Sequence, residues 1–223
     1  LYWKSADLYE RSNGRLFYEV QVALPSELTQ QEQIALARDF SQRLTAPERL
    51  PHTLIVRRGL YDDRGRKLDT PANPHARLVF SDRGNDGIDR PAAQWFMRAQ
   101  TSRPAAGGAA KSRKTKNRAW LFEVRELWAK LANAALEKGG HEARIDHRSL
   151  EAQGITERLP QLHRGVAGHM EKRGIKTERG ERYRQRQESN ARLAVLHAEL
   201  AQVNQEIKTL LASEEQADAN GKP

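Results

Sequence analysis

The segment Asn73-Pro74-His75-Ala76-Arg77-Leu78-Val79-Phe80 holds the residue types best suited to chemistry on a phosphate. Written as a strand, it turns His75, Arg77 and Val79 to one face and Ala76, Leu78 and Phe80 to the other. The second set is an ordinary core face. On the first, an imidazole and a guanidinium stand about 7 Å apart along the strand, a spacing that suits joint contact with one phosphate or a metal-bound phosphate. A strand histidine is more often structural or solvated than a ligand, so the pair alone defines no site. The other histidines carry less. His147 has Asp146 beside it, but adjacent residues point apart and make a poor joint ligand, which favours a structural loop. His163 and His169 lie near Gly165 and Gly168 and follow no metal-ligand spacing.

The elements that must position these side chains follow from periodicity. Leu16, Tyr18, Val20, Val22 and Leu24 alternate with polar residues as a half-buried strand that stops at Pro25. Thr29 and Glu32 form a capping box for a helix carrying Ile34, Ala37, Phe40 and Leu44, which Pro47 ends. A second strand runs from His52 to Arg58, closed by Gly59, and a third from His75 to Ser81. Residues 60–74 make a turn or loop, so the last two strands read as a long-connected hairpin. Asp89 caps a short helix with Pro91 in its first turn and Trp95, Phe96 and Ala99 on its buried side. Between Asn117 and Gly139 the sequence predicts a long helix whose apolar face is Leu121, Val124, Leu127, Trp128, Leu131, Ala135 and Leu136. Strands adjacent in sequence, without regular crossover helices, place the chain in the α+β class, with a mostly antiparallel sheet, flanking helices and a C-terminal amphipathic helix.

Composition narrows the partners. The 223 residues hold 38 Lys plus Arg against 29 Asp plus Glu, a net charge of +9, and no cysteine. The excess points to a polyanion, with nucleic acid ahead of a membrane surface. No apolar run is long enough for a membrane span or a signal peptide. The lack of cysteine excludes disulfides and thiolate metal sites and fits the cytoplasm. Charge is concentrated: eleven basic and six acidic side chains lie between residues 101 and 155. Arg103, Lys111, Arg113, Lys114, Lys116 and Arg118 fall in one acid-free stretch with Gly, Pro and Ala. That stretch reads as a flexible basic loop and a candidate DNA backbone contact. Trp95 and Phe96 are the aromatics best placed to stack on unpaired bases, although helical spacing favours the core for both.

The blocks Ala6-Asp7-Leu8-Tyr9-Glu10-Arg11, Asn13-Gly14-Arg15, Ala23-Leu24-Pro25, Asn73-Pro74-His75-Ala76, Asp86-Gly87-Ile88, Gln94-Trp95-Phe96 and Arg144-Ile145-Asp146-His147-Arg148-Ser149 occur in this order over roughly residues 5–175. Together they resemble the MobA/MobL relaxases of mobilisable plasmids. The resemblance implies a strand-specific DNA nickase and strand transferase. In that family a tyrosine attacks the phosphodiester at the transfer origin, and a divalent metal, Mg or Mn, held by three histidines polarises the scissile phosphate. Cleavage builds charge on non-bridging oxygens, which a metal ion offsets without proton transfer.

His75 matches the first of the three ligand positions. Arg77 stands where the second histidine is expected, and Arg57, in Thr53-Leu54-Ile55-Val56-Arg57-Arg58-Gly59, where the third is. A guanidinium has no lone pair to give and repels a cation. It can grip a phosphate bidentately, so Arg57 and Arg77 are read as phosphate-binding and His75 as the one metal-type position. The resemblance puts the catalytic tyrosine upstream of the Ala6–Arg11 block, close to where this chain begins. Tyr2 and Tyr9 do not match its motif, and Tyr9 is expected to serve packing. No catalytic residue is assigned: either the chain is truncated or the nucleophile has been lost.

Four segments follow: a relaxase-like α+β domain at 1–155, a polar connector at 156–180, an amphipathic or coiled-coil helix at 181–213 and a disordered tail at 214–223. In the helix Leu193, Leu196, Leu200, Val203, Ile207 and Leu210 repeat at alternating spacings of three and four, a narrow heptad seam. The implied partners are single-stranded or hairpin origin-of-transfer DNA and, through 181–213, mobilisation accessory proteins or a second copy. The rival readings are a DNA-binding module without nicking activity and a protein-interaction module.

Overall fold

The computed structural model describes residues 1–58 and 73–220, with side chains described to residue 212. Gly59 and nearly all of the expected 60–74 turn lie outside the described residues. The chain divides into two compact units, Leu1–His147 and Arg148–Pro223.

In the first unit three strands form one sheet in the order β1-β3-β2, with β1 at Tyr18–Ala23, β2 at His52–Arg57 and β3 at His75–Phe80. Both pairings are antiparallel. The arrangement is a split β-α-β: β1 and β2 run parallel to each other, and β3 fills the gap between them. Helix α2, Gln30–Thr45, links β1 to β2. Thr29 begins it as the sequence predicts. Its hydroxyl accepts from the Glu32 N–H while the Glu32 carboxylate accepts from the Thr29 N–H at 2.8 Å. Thr29→Ala is expected to lower stability by about 1 kcal/mol, measured by urea unfolding, since the hydroxyl's bonds to the Glu32 N–H and carboxylate are lost while the backbone half of the box remains.

The even-numbered strand residues face the helices. Ala76, Leu78 and Phe80 are all but fully buried among Leu36, Ala37 and Phe40 of α2 and Val124, Trp128, Ala132 and Leu136 of α4, Arg118–Lys138. The Phe40 and Trp128 rings meet edge to face at 5.2 Å. Asn117 caps α4 through the Ala119 N–H. The helix ends in a Schellman arrangement: the His141 N–H reaches the Leu136 carbonyl and the Gly140 N–H that of Glu137. The left-handed residue is Gly140, φ +74°, one step after the glycine expected to stop the helix. Leu121, placed on the buried face by periodicity, is 43% exposed. It lies in the first turn of α4.

One element was not anticipated, and two further expectations are corrected. A helix, α1 at Tyr2–Tyr9, precedes β1. It lacks a side-chain cap and buries only Ala6, so little in its sequence announces it. Tyr9, expected to pack, is 43% exposed. The short helix α3 spans only Ala92–Trp95, with Pro91 as its cap; Phe96 is buried, while Ala99 lies beyond the helix and is exposed.

The basic stretch expected to be a flexible loop is tied to the body by two internal arginines. Arg83 donates to both Glu10 carboxylate oxygens at 2.9 and 3.1 Å and to the carbonyls of Phe96, Met97 and Ala109 at 2.7–3.0 Å. That engages all five guanidinium donors. Arg90 does the same with the Asp86 carboxylate and the carbonyls of Ile88, Pro104 and Gly107. Gly107, Gly108 and Ala109 are consequently buried. A Cβ on Gly108 would sit 2.1 Å from the Met97 carbonyl oxygen, so the close approach of the two backbones requires glycine there.

The second unit is built on α6, Glu178–Asn220, a 43-residue helix. At 1.5 Å per residue it is roughly 65 Å long. It runs through most of the segment read as a tail. The segment read as a connector folds back along the helix's first turns. Leu159 exchanges two hydrogen bonds with the Asn190 amide, and Arg179 and Arg186 donate to the carbonyls of His163 and Pro160. Glu171, in α5 at Ala167–Glu171, pairs with Arg164 and Arg184.

Candidate nucleic-acid interface

The odd-numbered strand residues form the sheet face away from α2 and α4. Register fixes what lies beside what. His75 on β3 pairs with Arg57 on β2 and with Ala23 on β1, and Arg77 pairs with Ile55 and Gln21. Central placement fixes His75 and Arg77 between strands on both sides. Arg57 and His75 are direct cross-strand neighbours, as two ligands to one group would need to be.

The His75 ring has a defined posture. Nδ1 lies 2.9 Å from the Asn73 carbonyl oxygen. A carbonyl only accepts, so Nδ1 carries a proton, and Nε2 is the nitrogen through which a neutral ring would ligate. Ligating histidines are oriented by the same kind of bond. Arg77 does not project alone. Its Nε and Nη2 each lie 2.9 Å from one oxygen of Glu19, a bidentate pair across the sheet face. These bonds hold the Glu19 carboxyl below the ordinary carboxylate range, against the opposing effect of burial. Glu19 is a site neighbour that sequence reasoning passed over. Its alternation with Tyr18 and Val20 already placed it on the polar face. At the β2 edge the Trp3 indole donates to the Thr53 hydroxyl at 2.9 Å, bringing α1 to this side of the sheet.

The cations of the 103–118 stretch fall into two sets. Lys111 turns inward, 3.1 Å from Glu10 and 3.4 Å from Asp82, and donates to the Arg15 carbonyl. It is part of the Arg83 cluster. Burial pushes the Glu10 carboxyl up, but bonds from Arg83 and Lys111 outweigh it and hold the group below its ordinary value. Lys114 pairs with Glu48 at 3.1 Å while staying largely exposed. Arg103, Arg113, Lys116 and Arg118 are exposed. Of the two aromatics expected near the site, Phe96 is core, and Trp95 is half-buried with the Arg90 guanidinium 6.0 Å from its ring. His147, His163 and His169 are exposed. The Ile145 backbone beside His147 is clamped to α4 by both ends of the Asn133 amide.

Tyr2 packs into the domain. Burial raises its phenol above the ordinary value, with Ser81 and Trp95 nearby acting the other way. The ring packs on Phe96 at 5.5 Å.

The donor set does not fit a three-histidine metal centre. One imidazole is oriented for ligation, and both remaining positions carry guanidinium groups. Among the described residues no group of three His, Asp or Glu side chains is arranged to hold a metal ion. The face as it stands presents hydrogen-bond donors suited to phosphate oxygens.

Fold and site together define an α+β domain of the split β-α-β type with one sheet face given to the core and the other to a polar, partly cationic surface. Its sequence matches the MobA/MobL family over residues 1–173. The chain belongs to that family. It is 55% identical over 181 residues to "Mobilization protein A" from Escherichia coli, covering 81% of this chain and 24% of that protein. It is 37% identical over 158 residues to the "43 kDa relaxation protein" of Salmonella typhimurium, covering 69% and 41% respectively. The chain thus spans less than half the length of either relative. A chain from the structure titled "Molecular Basis of Vancomycin Resistance Transfer in Staphylococcus aureus" aligns with a TM-score of 0.45 at 24% identity, covering 66% of this chain and 64% of that one.

Proposed function

We propose that this chain is the DNA-recognising part of a plasmid mobilisation relaxase, acting in the cytoplasm on single-stranded or hairpin DNA at a transfer origin. The observation that carries the reading is the pairing of Arg57 with His75 at the head of the open sheet face, in a chain of the MobA/MobL family. Arg57, His75 and Arg77 would lie around one phosphate, and Arg103, Arg113, Lys114, Lys116 and Arg118 would follow the backbone on either side. Family chemistry adds a divalent metal and a tyrosine. The residues of this face favour binding without metal-assisted cleavage, and Arg57 and Arg77 take over part of the charge stabilisation that a cation would give.

Fluorescence anisotropy with a labelled hairpin oligonucleotide tests the reading. Affinity is expected to fall steeply with salt and to stay within about twofold when EDTA is added, because phosphate contacts and not a metal supply the attraction. Replacing Arg113, Lys116 and Arg118 together by alanine is expected to reduce the slope of log affinity against log salt by about two. Supercoiled origin plasmid with Mg²⁺ or Mn²⁺ is expected to remain closed. Nicked circles would show that the face catalyses as well as binds, and loss of binding in EDTA would show that a metal takes part.

A further inference from the structure

The seam on α6 is an apolar stripe that neither the fold nor the DNA reading uses. Leu196, Leu200, Val203 and Ile207 are each 47–54% exposed. Hydrogen bonds from the fold-back segment reach as far as Asn190, and the seam begins three residues later at Leu193, which is half-buried. The chain therefore covers the first turns of this helix with its own residues, and the exposed part of the seam starts at Leu196.

We propose that this seam pairs with the same seam of a second copy of the chain, as a parallel, in-register two-stranded coiled coil over residues 193–210. Spacing is the first reason. Leu193, Leu200 and Ile207 occupy one heptad position and Leu196, Val203 and Leu210 the other, which is the narrow stripe that a supercoiled partner of like pitch fills. A helix docking on a globular surface carries a broader apolar face. Flanking charge is the second reason, and it selects the direction. Arg192, Glu199 and Glu206 border the seam on one side, and His197, Asn204 and Leu211 on the other. In the parallel pair Glu199 faces Asn204 and Glu206 faces Leu211 of the other copy, so no acid meets an acid. The antiparallel register that keeps all six apolar layers sets Glu199 against Glu206 twice, and like charges at these positions oppose pairing. Three heptads are short for a coiled coil alone, but each helix is already nucleated by the contacts at 159–190, which removes part of the ordering cost.

Sedimentation equilibrium of the whole chain from about 1 to 100 µM is expected to show a monomer–dimer equilibrium. Leu200→Glu is expected to weaken it at least tenfold, whereas Ala201→Glu, on the outer side of the same turn, leaves it unchanged. Circular dichroism confirms that both variants keep the first unit folded. The natural chain has no cysteine, so Leu193→Cys gives an unambiguous crosslink: it forms under mild oxidation in the parallel pair and not in the antiparallel one, where the two sites lie at opposite ends. A chain that stays monomeric throughout, or a dimer indifferent to Leu200→Glu, overturns the proposal. A dimer that Leu193→Cys fails to crosslink overturns its parallel form. None of these readouts depends on DNA binding.

Discussion

Replacing Arg83 by alanine is expected to lower unfolding free energy by about 3–5 kcal/mol and the thermal midpoint of the first unit by roughly 10 °C. The side chain is 4% exposed and its partner Glu10 only 2%. Deleting the guanidinium leaves a buried carboxylate with Lys111 as its remaining cation and leaves three carbonyl oxygens without a donor. Unpaired buried polar groups cost far more than a surface ion pair contributes. Arg83→Lys is expected to recover little, since one ammonium cannot span five acceptors. The acid limb of the stability curve gives a second readout. The Glu10 carboxyl is held below its ordinary value in the folded protein. Its contribution is therefore present above the unfolded carboxylate pKa and is lost as pH falls through the lower folded one. In Arg83→Ala that part of the acid sensitivity is expected to shrink. A variant within about 1 kcal/mol of the parent would show that the cluster does not hold the 83–112 segment in place.

The second large effect is a gain. Arg57→His combined with Arg77→His is expected to raise affinity for Mn²⁺ or Zn²⁺ at least about a hundredfold, read by calorimetry, by placing three imidazoles on one sheet face. Register is the argument: position 57 lies opposite position 75, and position 77 is on the same face of the same strand. His75 already has its Nδ1 proton engaged by the Asn73 carbonyl, the posture of a ligating imidazole. The change is expected to cost no more than about 1 kcal/mol of stability, because the Arg77–Glu19 pair being removed is about one-third exposed. Each single variant should bind more weakly than the double. A folded double variant with no metal affinity would mean that these positions do not converge as the family resemblance implies.

Much of the first unit could be read from local pattern. Period-two alternation gives β1 and the two faces of β3, the capping box gives the start of α2, and Asn117 and Gly139 bracket α4 to the residue. These signals are legible because strand faces and helix ends are decided by a few consecutive residues. What escaped reading depends on partners distant in sequence. Arg83 and Lys111 look like any surface cations until the chain brings Glu10 beside them, 73 residues before Arg83. A charge run says nothing about which members turn inward. The fold-back at 159–175 was invisible for the same reason, since its anchor is the amide of Asn190, 31 residues beyond Leu159. At the site, strand alternation singled out His75 and Arg77, the family resemblance added Arg57, and register showed that Arg57 stands opposite His75. The Glu19–Arg77 pair needed strand order, because β1 and β3 are neighbours only in space.

The sheet's two faces have separate fates. Every apolar residue that β3 gives to the core sits at an even-numbered position, and His75, Arg77 and their neighbours Glu19, Gln21 and Arg57 all sit at odd ones. An exchange of imidazole for guanidinium on the open face leaves the interior packing untouched. In a domain of this design point substitutions on the open face can change its chemistry while the architecture stays the same, so inheritance of the fold and inheritance of the chemistry become independent traits.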